Sequence, residues 1–560
     1  MAKPPGFDLG QTLQQAVALH QQGRLDDAEK FYSRVLKADR NQFDALHLLG
    51  MLNHQRGKAG EAFRLVSQAL KVNPRSPDAL SNLGMVLVAL RRGEEGLASV
   101  DKALALAPNH LESLNTRGNV LLELKRPAEA AAAFDKVIAA QPRHVIARIN
   151  RGNALAETDE PEKALVDYDE ALKLAPGHPL ALYNRGNALH ALGRDAEAVR
   201  AYDQALMAMP QHIGALRNRG LALAALNRHA EAVASYAKTL AIKPDDADAH
   251  FNTSLSLLTL GDYARGFAEY EWRWKRSGMN VKPRFRQPLW LGETPLGGKT
   301  ILLHAEQGLG DTIQFARYAT LLARGGAKVI LEVQPELKDL LSQIEGVSAV
   351  FGRGETLPAF DVHCPLMSLP LALKTTPENI PAEVPYLRAS ADHIAKWRPK
   401  LEALAAPRVA IAWSGRATHV NDRNRSLTLA ALEPLLATPN VHFVSIQREL
   451  RAADAERLAR DPRILHVGGE LDDFSDTAAV LALADLAICV DTSVAHLAGA
   501  LGRPVWALIP FQPDWRWGMT GSRTPWYPGV ELWRQAEPSD WTNVINQMTV
   551  KLASGGLPVS

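Results

Sequence analysis

The sequence predicts an α solenoid followed by an α/β region built of two Rossmann-like halves. Three observations lead there. Small, aromatic and proline residues recur every 34 positions through the first 270 residues. From Thr300 onward, short apolar runs alternate with stretches of helical spacing. Between the first such run and its helix lies a glycine turn, 307–310, of the kind that opens a doubly wound nucleotide-handling domain.

The repeat comes first in the chain. Alanine or glycine stands at Ala28, Ala62, Gly96, Ala130, Ala164, Ala198, Ala232 and Gly266. Glycine keeps the same step at Gly50, Gly84, Gly118, Gly152, Gly186 and Gly220, and proline at Pro74, Pro108, Pro142, Pro176, Pro210 and Pro244. A fourth register runs Tyr32, Val66, Val100, Phe134, Tyr168, Tyr202, Tyr236, Tyr270. Each unit reads as a helix pair that cannot bury its apolar face alone; small residues let the helices approach and proline ends the second helix. The spacing and residue types resemble the tetratricopeptide repeat, about eight units over residues 9–280. The first and eighth units are irregular, with Ala16 and Arg40, then Ser254 and Arg273, at repeat positions, as end caps are.

One register bears on function. Asn82, Thr116, Asn150, Asn184, Asn218 and Asn252 share a position on the first helix of each unit, with Asn119, Asn153 and Asn187 in a parallel row. An amide carries both a donor and an acceptor, so it binds main chain without reading side chains. The ladder resembles that of the protein O-GlcNAc transferases, which implies an extended polypeptide held by Asn82, Asn150, Asn184, Asn218 and Asn252. Solvation of an inner helix face is the alternative.

Residues 281–299, rich in proline, glycine and basic residues, read as a linker, with Trp290 expected to pack on the last repeat. The first α/β half, 300–390, has strand-like runs at 301–303, 329–333, 349–351 and 361–364. The second, 391–553, has them at 409–412, 442–446, 464–467, 486–490 and 505–509. Alternation of this kind implies parallel strands joined by right-handed crossovers, and two such halves suggest a cleft. A final helix, about 539–552, is a candidate to cross back to the first half.

The candidate chemistry sits at two turns. Gly308 and Gly310 aim backbone N–H groups and a helix start at whatever lies above the sheet. Asp311 at that helix start serves as a cap or as a base. In the second half, Asp491 follows an apolar strand, and Thr492, Ser493 and Val494 begin a helix, a setting that suits a phosphate. His496 adds a donor there or is a packed histidine. The loop carrying Ser414 and Gly415 is followed by Arg423 and Arg425, either of which is a candidate to neutralise a leaving phosphate. The Trp-rich loop at 511–526 stacks on a base or sugar, or forms core, which is the commoner fate of such residues.

Gly308–Leu309–Gly310–Asp311 resembles the opening turn of the heptosyltransferase-like glycosyltransferases, family 9 of the GT-B fold. The run Asp491-Thr-Ser-Val-Ala-His496-Leu-Ala resembles that family's donor-binding motif, and the similarity covers about residues 300–550. It implies an α/β GT-B fold with Asp311 as catalytic base and Gly308, Gly310, Ser414, Gly415, Arg423, Arg425, Asp491, Thr492, Ser493, Val494 and His496 about the donor. Ser493 in place of the usual glycine, and arginine in place of a common lysine, leave the family's ADP-heptose donor open. No Asp-x-Asp occurs in the α/β region, and Asp167-Tyr168-Asp169 lies inside a repeat, so no metal and no cofactor is expected, the nucleotide sugar being a substrate. Repeats followed by GT-B resemble the O-GlcNAc transferases and the repeat-containing flagellin glycosyltransferases. This implies an inverting, metal-independent glycosyltransferase acting on Ser or Thr of a polypeptide captured by the repeats, flagellin among the candidates. A transferase acting on glycan or lipid precursors, and a repeat scaffold without catalysis, are the alternatives.

Bulk properties agree. At 560 residues the chain is too long for one core. With 63 basic and 61 acidic residues it is not a charge-driven nucleic-acid binder. Cys364 and Cys489 make no disulfide framework and fit a reducing compartment. The N-terminus lacks a signal-peptide core, and no apolar run approaches the ~20 residues of a membrane span. A cytoplasmic protein is expected.

Overall fold

Among the described residues, sixteen helices in chain order reach Tyr270, and ten strands follow between Thr300 and Arg534. The structure, a computed structural model, describes residues 8–276, 284–418 and 421–556. The chain falls into two compact units, Met1–Ala222 and Leu223–Ser560.

In the first unit, helices of 13 and 14 residues alternate, as in Leu111–Glu123 and Pro127–Ala140. The glycine register is explained by contact. A Cβ at Gly118 would stand 2.4 Å from Phe134, one at Gly152 2.6 Å from Tyr168, and one at Gly186 2.5 Å from Tyr202. The aromatic of each of these second helices thus occupies the space the glycine leaves on the first, as Val66 and Val100 do opposite Gly50 and Gly84. Second helices end just before the prolines, whose rings exclude the helical conformation from the preceding residue: the caps are Asn73, Ala107, Gln141 and Ala175. First helices start on a side chain that accepts the N–H three residues on. The caps are Gln42, Ser76, His110, His144 and His178. A further register pairs Arg117 with Asp101, Arg151 with Asp135, Arg185 with Asp169 and Arg219 with Asp203, at 2.6–2.9 Å. Asp167, 1 % exposed, also takes Arg151 at 2.5 Å. Both aspartates of the Asp-Tyr-Asp triplet are therefore engaged in ion pairs within the repeats.

The second unit holds the last helices, Ala247–Thr259 and Tyr263–Tyr270 among them, and two parallel sheets. Strands β1 (Thr300–His304), β2 (Lys328–Val333), β3 (Val347–Gly352) and β4 (Val362–Pro365) make a sheet of order β3-β2-β1-β4. Strands β5 (Arg408–Ala412), β6 (His442–Ser445), β7 (Ile464–His466), β8 (Leu486–Val490), β9 (Val505–Ile509) and β10 (Val530–Arg534) make the other, of order β10-β9-β8-β5-β6-β7. β1, β5, β8 and β9 are buried along nearly their whole length, as apolar runs flanked by helices on both faces must be.

Three features differ from the sequence expectations or extend them. β10 was not anticipated: as an edge strand only its Val530 and Leu532 are buried, so its apolar signal is thin. The last helix, Thr542–Ala553, buries Val544, Ile545, Met548 and Leu552 against the β5, β8 and β9 side chains; it stays on the second sheet and does not cross back. Of the linker, residues 281–283 lie outside the described residues. The rest pairs with the first sheet, Trp290 donating its N–H to the His363 carbonyl at 2.8 Å, and the Trp290 ring joins a core that also holds Tyr263, Phe267 and Tyr270.

Candidate functional site

β1 ends at His304, and the turn that follows starts the Leu309–Ala316 helix with Gly308 as N-cap. Asp311 is therefore not itself the cap. It stands at the third helical position and reaches back, its Oδ2 accepting the Gly308 N–H at 2.9 Å. Its Oδ1 takes Arg516 Nη2 at 2.6 Å. Gln334 donates to the Gln307 carbonyl at 2.8 Å, and Gln307 pairs with the Tyr270 hydroxyl, so the turn is held from two sides. Glu306, one residue earlier, is bound by Arg273 of the short helical turn after the last repeat helix. That guanidinium, 1 % exposed, also meets Glu271, Ser368 and the Tyr270 carbonyl. Burial pushes the Glu306 carboxyl up to about 7 against the pull of Arg273.

β8 ends at Val490, and the Ser493–Ala500 helix begins directly after Thr492. The 308–311 turn and the 491–493 turn abut. A Cβ on Gly310 would lie 2.8 Å from His496 Cδ2 and 3.4 Å from Ser493 Cα. His496 is buried here: its Nδ1 pairs with the Tyr527 hydroxyl at 3.1 Å, and its ring stacks on Trp517 with centroids 5.2 Å apart. Burial holds it neutral, far below the usual histidine range, with Arg516 and Arg317 acting in the same direction. Asp491 sits at the strand end, with Val494 on the first turn beyond it. Burial pushes the Asp491 carboxyl up to about 6, Asp514 adding to the rise while Arg425 and Arg516 oppose it. Thr492 turns its hydroxyl onto the Val490 carbonyl at 3.3 Å.

The loop after β5 closes the arrangement. Trp413 and Ser414 donate their N–H groups to Gln447 Oε1 at 3.0 and 3.1 Å, and Gly415 donates to Ser426. The one-turn helix Asp422–Arg425 turns its two arginines to different sides. Arg423 is exposed, whereas Arg425 donates Nη1 to the Asp491 carbonyl at 2.8 Å and lies over Gly415, where a Cβ would be 2.6 Å from Nη2. Its buried Nε has no hydrogen-bond partner among the described residues. The structure thus brings Gly310, Asp311, Ser493 and His496 together, and Gly415, Arg425 and Asp491 together. Among the residues named from the sequence, Arg423 stands apart.

The Trp-rich loop is core: Trp515, Trp517 and Trp526 are at most 4 % exposed. What the sequence reading missed lies among them. Arg516, 7 % exposed, binds Asp311, Asp514 and Gln314 from inside this aromatic packing. No local pattern distinguishes it from a surface arginine; only its place between two tryptophans hinted at burial.

In the unit before it, the asparagine register is wired. Asn150, Asn184 and Asn218 each donate an amide N–H to Asn119, Asn153 and Asn187, one repeat earlier, at 2.8–2.9 Å. Asn153 and Asn187 also accept the hydroxyls of Tyr168 and Tyr202. Asn82 meets His47 at 2.9 Å, and Thr116 interrupts the row, 3 % exposed. Asn252 belongs to the second unit, half-buried on the Ala247–Thr259 helix.

Known proteins bear out both parts. Residues 13–66, 48–110, 115–179 and 217–276 match a tetratricopeptide repeat family model, and 179–212 match another. Residues 432–527, which hold Asp491 to His496 and Arg516, match glycosyltransferase family 9 (heptosyltransferase). The chain carries tetratricopeptide repeats and a C-terminal glycosyltransferase family 9 domain. It is 26 % identical over 312 residues to protein FlbA of Caulobacter vibrioides, covering 50 % of this chain and 51 % of that protein. The chain thus spans about half the length of the curated relative it matches. Similar solved structures include a tetratricopeptide repeat protein of Parabacteroides merdae, 17 % identical with a TM-score of 0.37, covering 44 % of this chain and 98 % of that one. Another is a Thermus thermophilus repeat protein, 23 % identical with a TM-score of 0.30, covering 33 % and 99 %. Among the described residues no helix is long and apolar enough to cross a membrane.

Proposed function

We propose that this protein is a glycosyltransferase that moves a sugar from a nucleotide donor to a Ser or Thr hydroxyl of a polypeptide, the repeats capturing that polypeptide. The observation that carries the reading is the junction of Asp311 with the family 9 segment: the carboxylate at the start of one Rossmann-like half is ion-paired to an arginine inside the matched span. In this reading Asp311 takes the hydroxyl proton as the acceptor oxygen bonds to the sugar's anomeric carbon. The bond from that carbon to the phosphate oxygen breaks, and its electron pair leaves with the nucleotide diphosphate. A single displacement of this kind inverts the anomeric centre. Arg425, beside the start of the Ser493–Ala500 helix, meets the growing phosphate charge together with that helix's N–H groups. No step calls on a metal.

The asparagine rows support a polypeptide acceptor. Donation to the second row orients the Asn150, Asn184 and Asn218 amides, so the groups they present are already ordered before anything binds. Flagellin is one candidate, which the resemblance to repeat-containing flagellin glycosyltransferases implies. The test is incubation with a panel of nucleotide sugars, read first as thermal stabilisation and then as mass added to a polypeptide. Stabilisation by no donor, or transfer to glycans alone, overturns the reading.

A further inference from the structure

We propose that Arg516 is the positioning residue for Asp311, holding the carboxylate in place as a base. The proposal rests on the transferase reading above and gives the arginine of that ion pair a role the reading leaves unassigned.

Arg516 sits on the helical turn Trp515–Trp517, in the loop between β9 and β10, yet its side chain points into the first half of the unit. Its donors are distributed. Nε goes to Gln314 Oε1 at 2.6 Å, Nη2 to Asp311 Oδ1 at 2.6 Å and Nη1 to Asp514 Oδ1 at 2.8 Å. Asp311 and Gln314 are three apart on one helix, so they project from one face. One planar guanidinium therefore grips that face at two points while Asp514 secures it from its own loop. The other Asp311 oxygen is tied to the Gly308 N–H at 2.9 Å. Held at both oxygens, the carboxylate keeps one rotamer.

The surroundings make the arrangement costly unless it serves something. Arg516 is 7 % exposed, with its guanidinium carbon 4.4 Å from the Trp515 ring centre and 5.7 Å from that of Phe315. A buried ion pair is seldom more stabilising than apolar residues of the same volume. A lysine offers a point charge without the fork and cannot meet three acceptors in one plane. The aromatic walls shield the guanidinium from water, which strengthens the pair, while the Asp311 side chain stays 22 % exposed and open to an incoming hydroxyl. A base held this way needs no reorganisation when the hydroxyl arrives, and misplacement of a reacting group by about 1 Å is enough to cost two orders of magnitude in rate.

The test compares Arg516→Lys, Arg516→Ala, Asp311→Asn and the Asp311→Asn/Arg516→Ala double variant of the full chain, with whichever nucleotide sugar stabilises the wild type. Arg516→Ala is expected to lower kcat about 100-fold, with KM for the nucleotide sugar within about threefold of wild type. Added guanidinium ion is expected to restore about tenfold of that rate, because it refills the vacated fork. Arg516→Lys, which keeps the charge and the fold, is expected to lose nearly as much. In the Asp311→Asn background, Arg516→Ala is expected to cost nothing further, since the group it positions is gone. Thermal unfolding of each variant reports whether the fold is kept. Losses that add in the double variant, a full-rate Arg516→Lys, or a loss confined to KM each overturn the proposal while leaving the transferase reading standing. A wild type that transfers sugar from no donor overturns both.

Discussion

Gly310 and His496 lie against one another across the two Rossmann-like halves, so closely that a Cβ on the glycine would stand 2.8 Å from the imidazole Cδ2. The glycine is there for space. Its φ is not in the left-handed region, so an alanine would be tolerated by the backbone and rejected by the neighbour. His496 cannot withdraw freely, because Trp517 stacks on it and Tyr527 bonds its Nδ1. Gly310→Ala is expected to destabilise the second unit by about 1–3 kcal/mol, the usual cost of overpacking. Gly308→Ala meets only Asp311 Oδ2, at 3.2 Å, and is expected to cost far less. Urea unfolding of the two variants side by side checks the contrast.

Asp311→Asn tests the base. The amide keeps the volume and the bond from Gly308, so the fold and nucleotide binding are expected to persist. Turnover is expected to fall roughly 100-fold or more, the scale of lost general-base catalysis. Single-turnover transfer measures it; near-normal turnover would make Asp311 a helix-start carboxylate and nothing more.

His144 tests the repeat caps. Its Nδ1 accepts the Ala147 N–H at 3.1 Å, standing in for the serine or aspartate that ordinarily opens a helix. His144→Ala is expected to cost about 1 kcal/mol, and His144→Asp to keep most of it. Hydrogen exchange at the Ala147 amide reads the cap directly.

Much of this was legible in the sequence because it is local or repeated. The 34-residue registers name the helix pairs, and nine of the strands follow from apolar runs close to those observed. The Gly308–Asp311 turn and the Asp491–His496 run were readable because each is one continuous segment at a strand end. Arg425 and Arg423 could not be told apart until the short helix turned one inward. Arg516, Gln447 and Tyr527 escaped because the fold delivers them from distant segments, and a buried arginine leaves no periodic signature. The cap register at His110, His144 and His178 was hidden by residue type, since histidine is not among the usual N-caps.

Asp491 gives the pH dependence. Burial is the main reason its carboxyl is pushed up to about 6. The ordinary carboxylate titrates near 4, so between about pH 4 and 6 the folded state binds more protons than the unfolded one. Stability is therefore lost as pH rises through that window, and the whole penalty is present above it. Each pH unit separating the folded and unfolded titrations is worth about 1.4 kcal/mol. Asp491→Asn is expected to flatten the profile and to be the more stable protein at pH 7, though a poorer binder of nucleotide. Unfolding free energies from pH 4 to 8 decide it; parallel curves would show that the Asp491 carboxyl titrates alike in the folded and unfolded chain.

The acceptor groove is tested in the asparagine rows. Asn150, Asn184 and Asn218 each donate to the row one repeat earlier, so replacing all three by alanine removes those three hydrogen bonds and a longer one from Asn218 to the Tyr183 hydroxyl. Each is worth about 0.5–1.5 kcal/mol, and alanine's better helix propensity returns a part of it. Some loss of stability is thus expected and must be separated from loss of binding. Tyr168→Phe with Tyr202→Phe supplies the comparison: it removes the hydroxyls that Asn153 and Asn187 accept, lowers stability by a similar mechanism, and leaves the ladder amides in place. If the ladder holds main chain, the triple alanine variant should bind an unfolded polypeptide about 100-fold more weakly, three hydrogen bonds' worth, while the tyrosine pair binds it normally. Hydrolysis of the nucleotide sugar, which needs only the second unit, should be the same in both. Equal binding by the triple variant and the wild type would remove the polypeptide from the ladder and leave the asparagines as bracing between repeats.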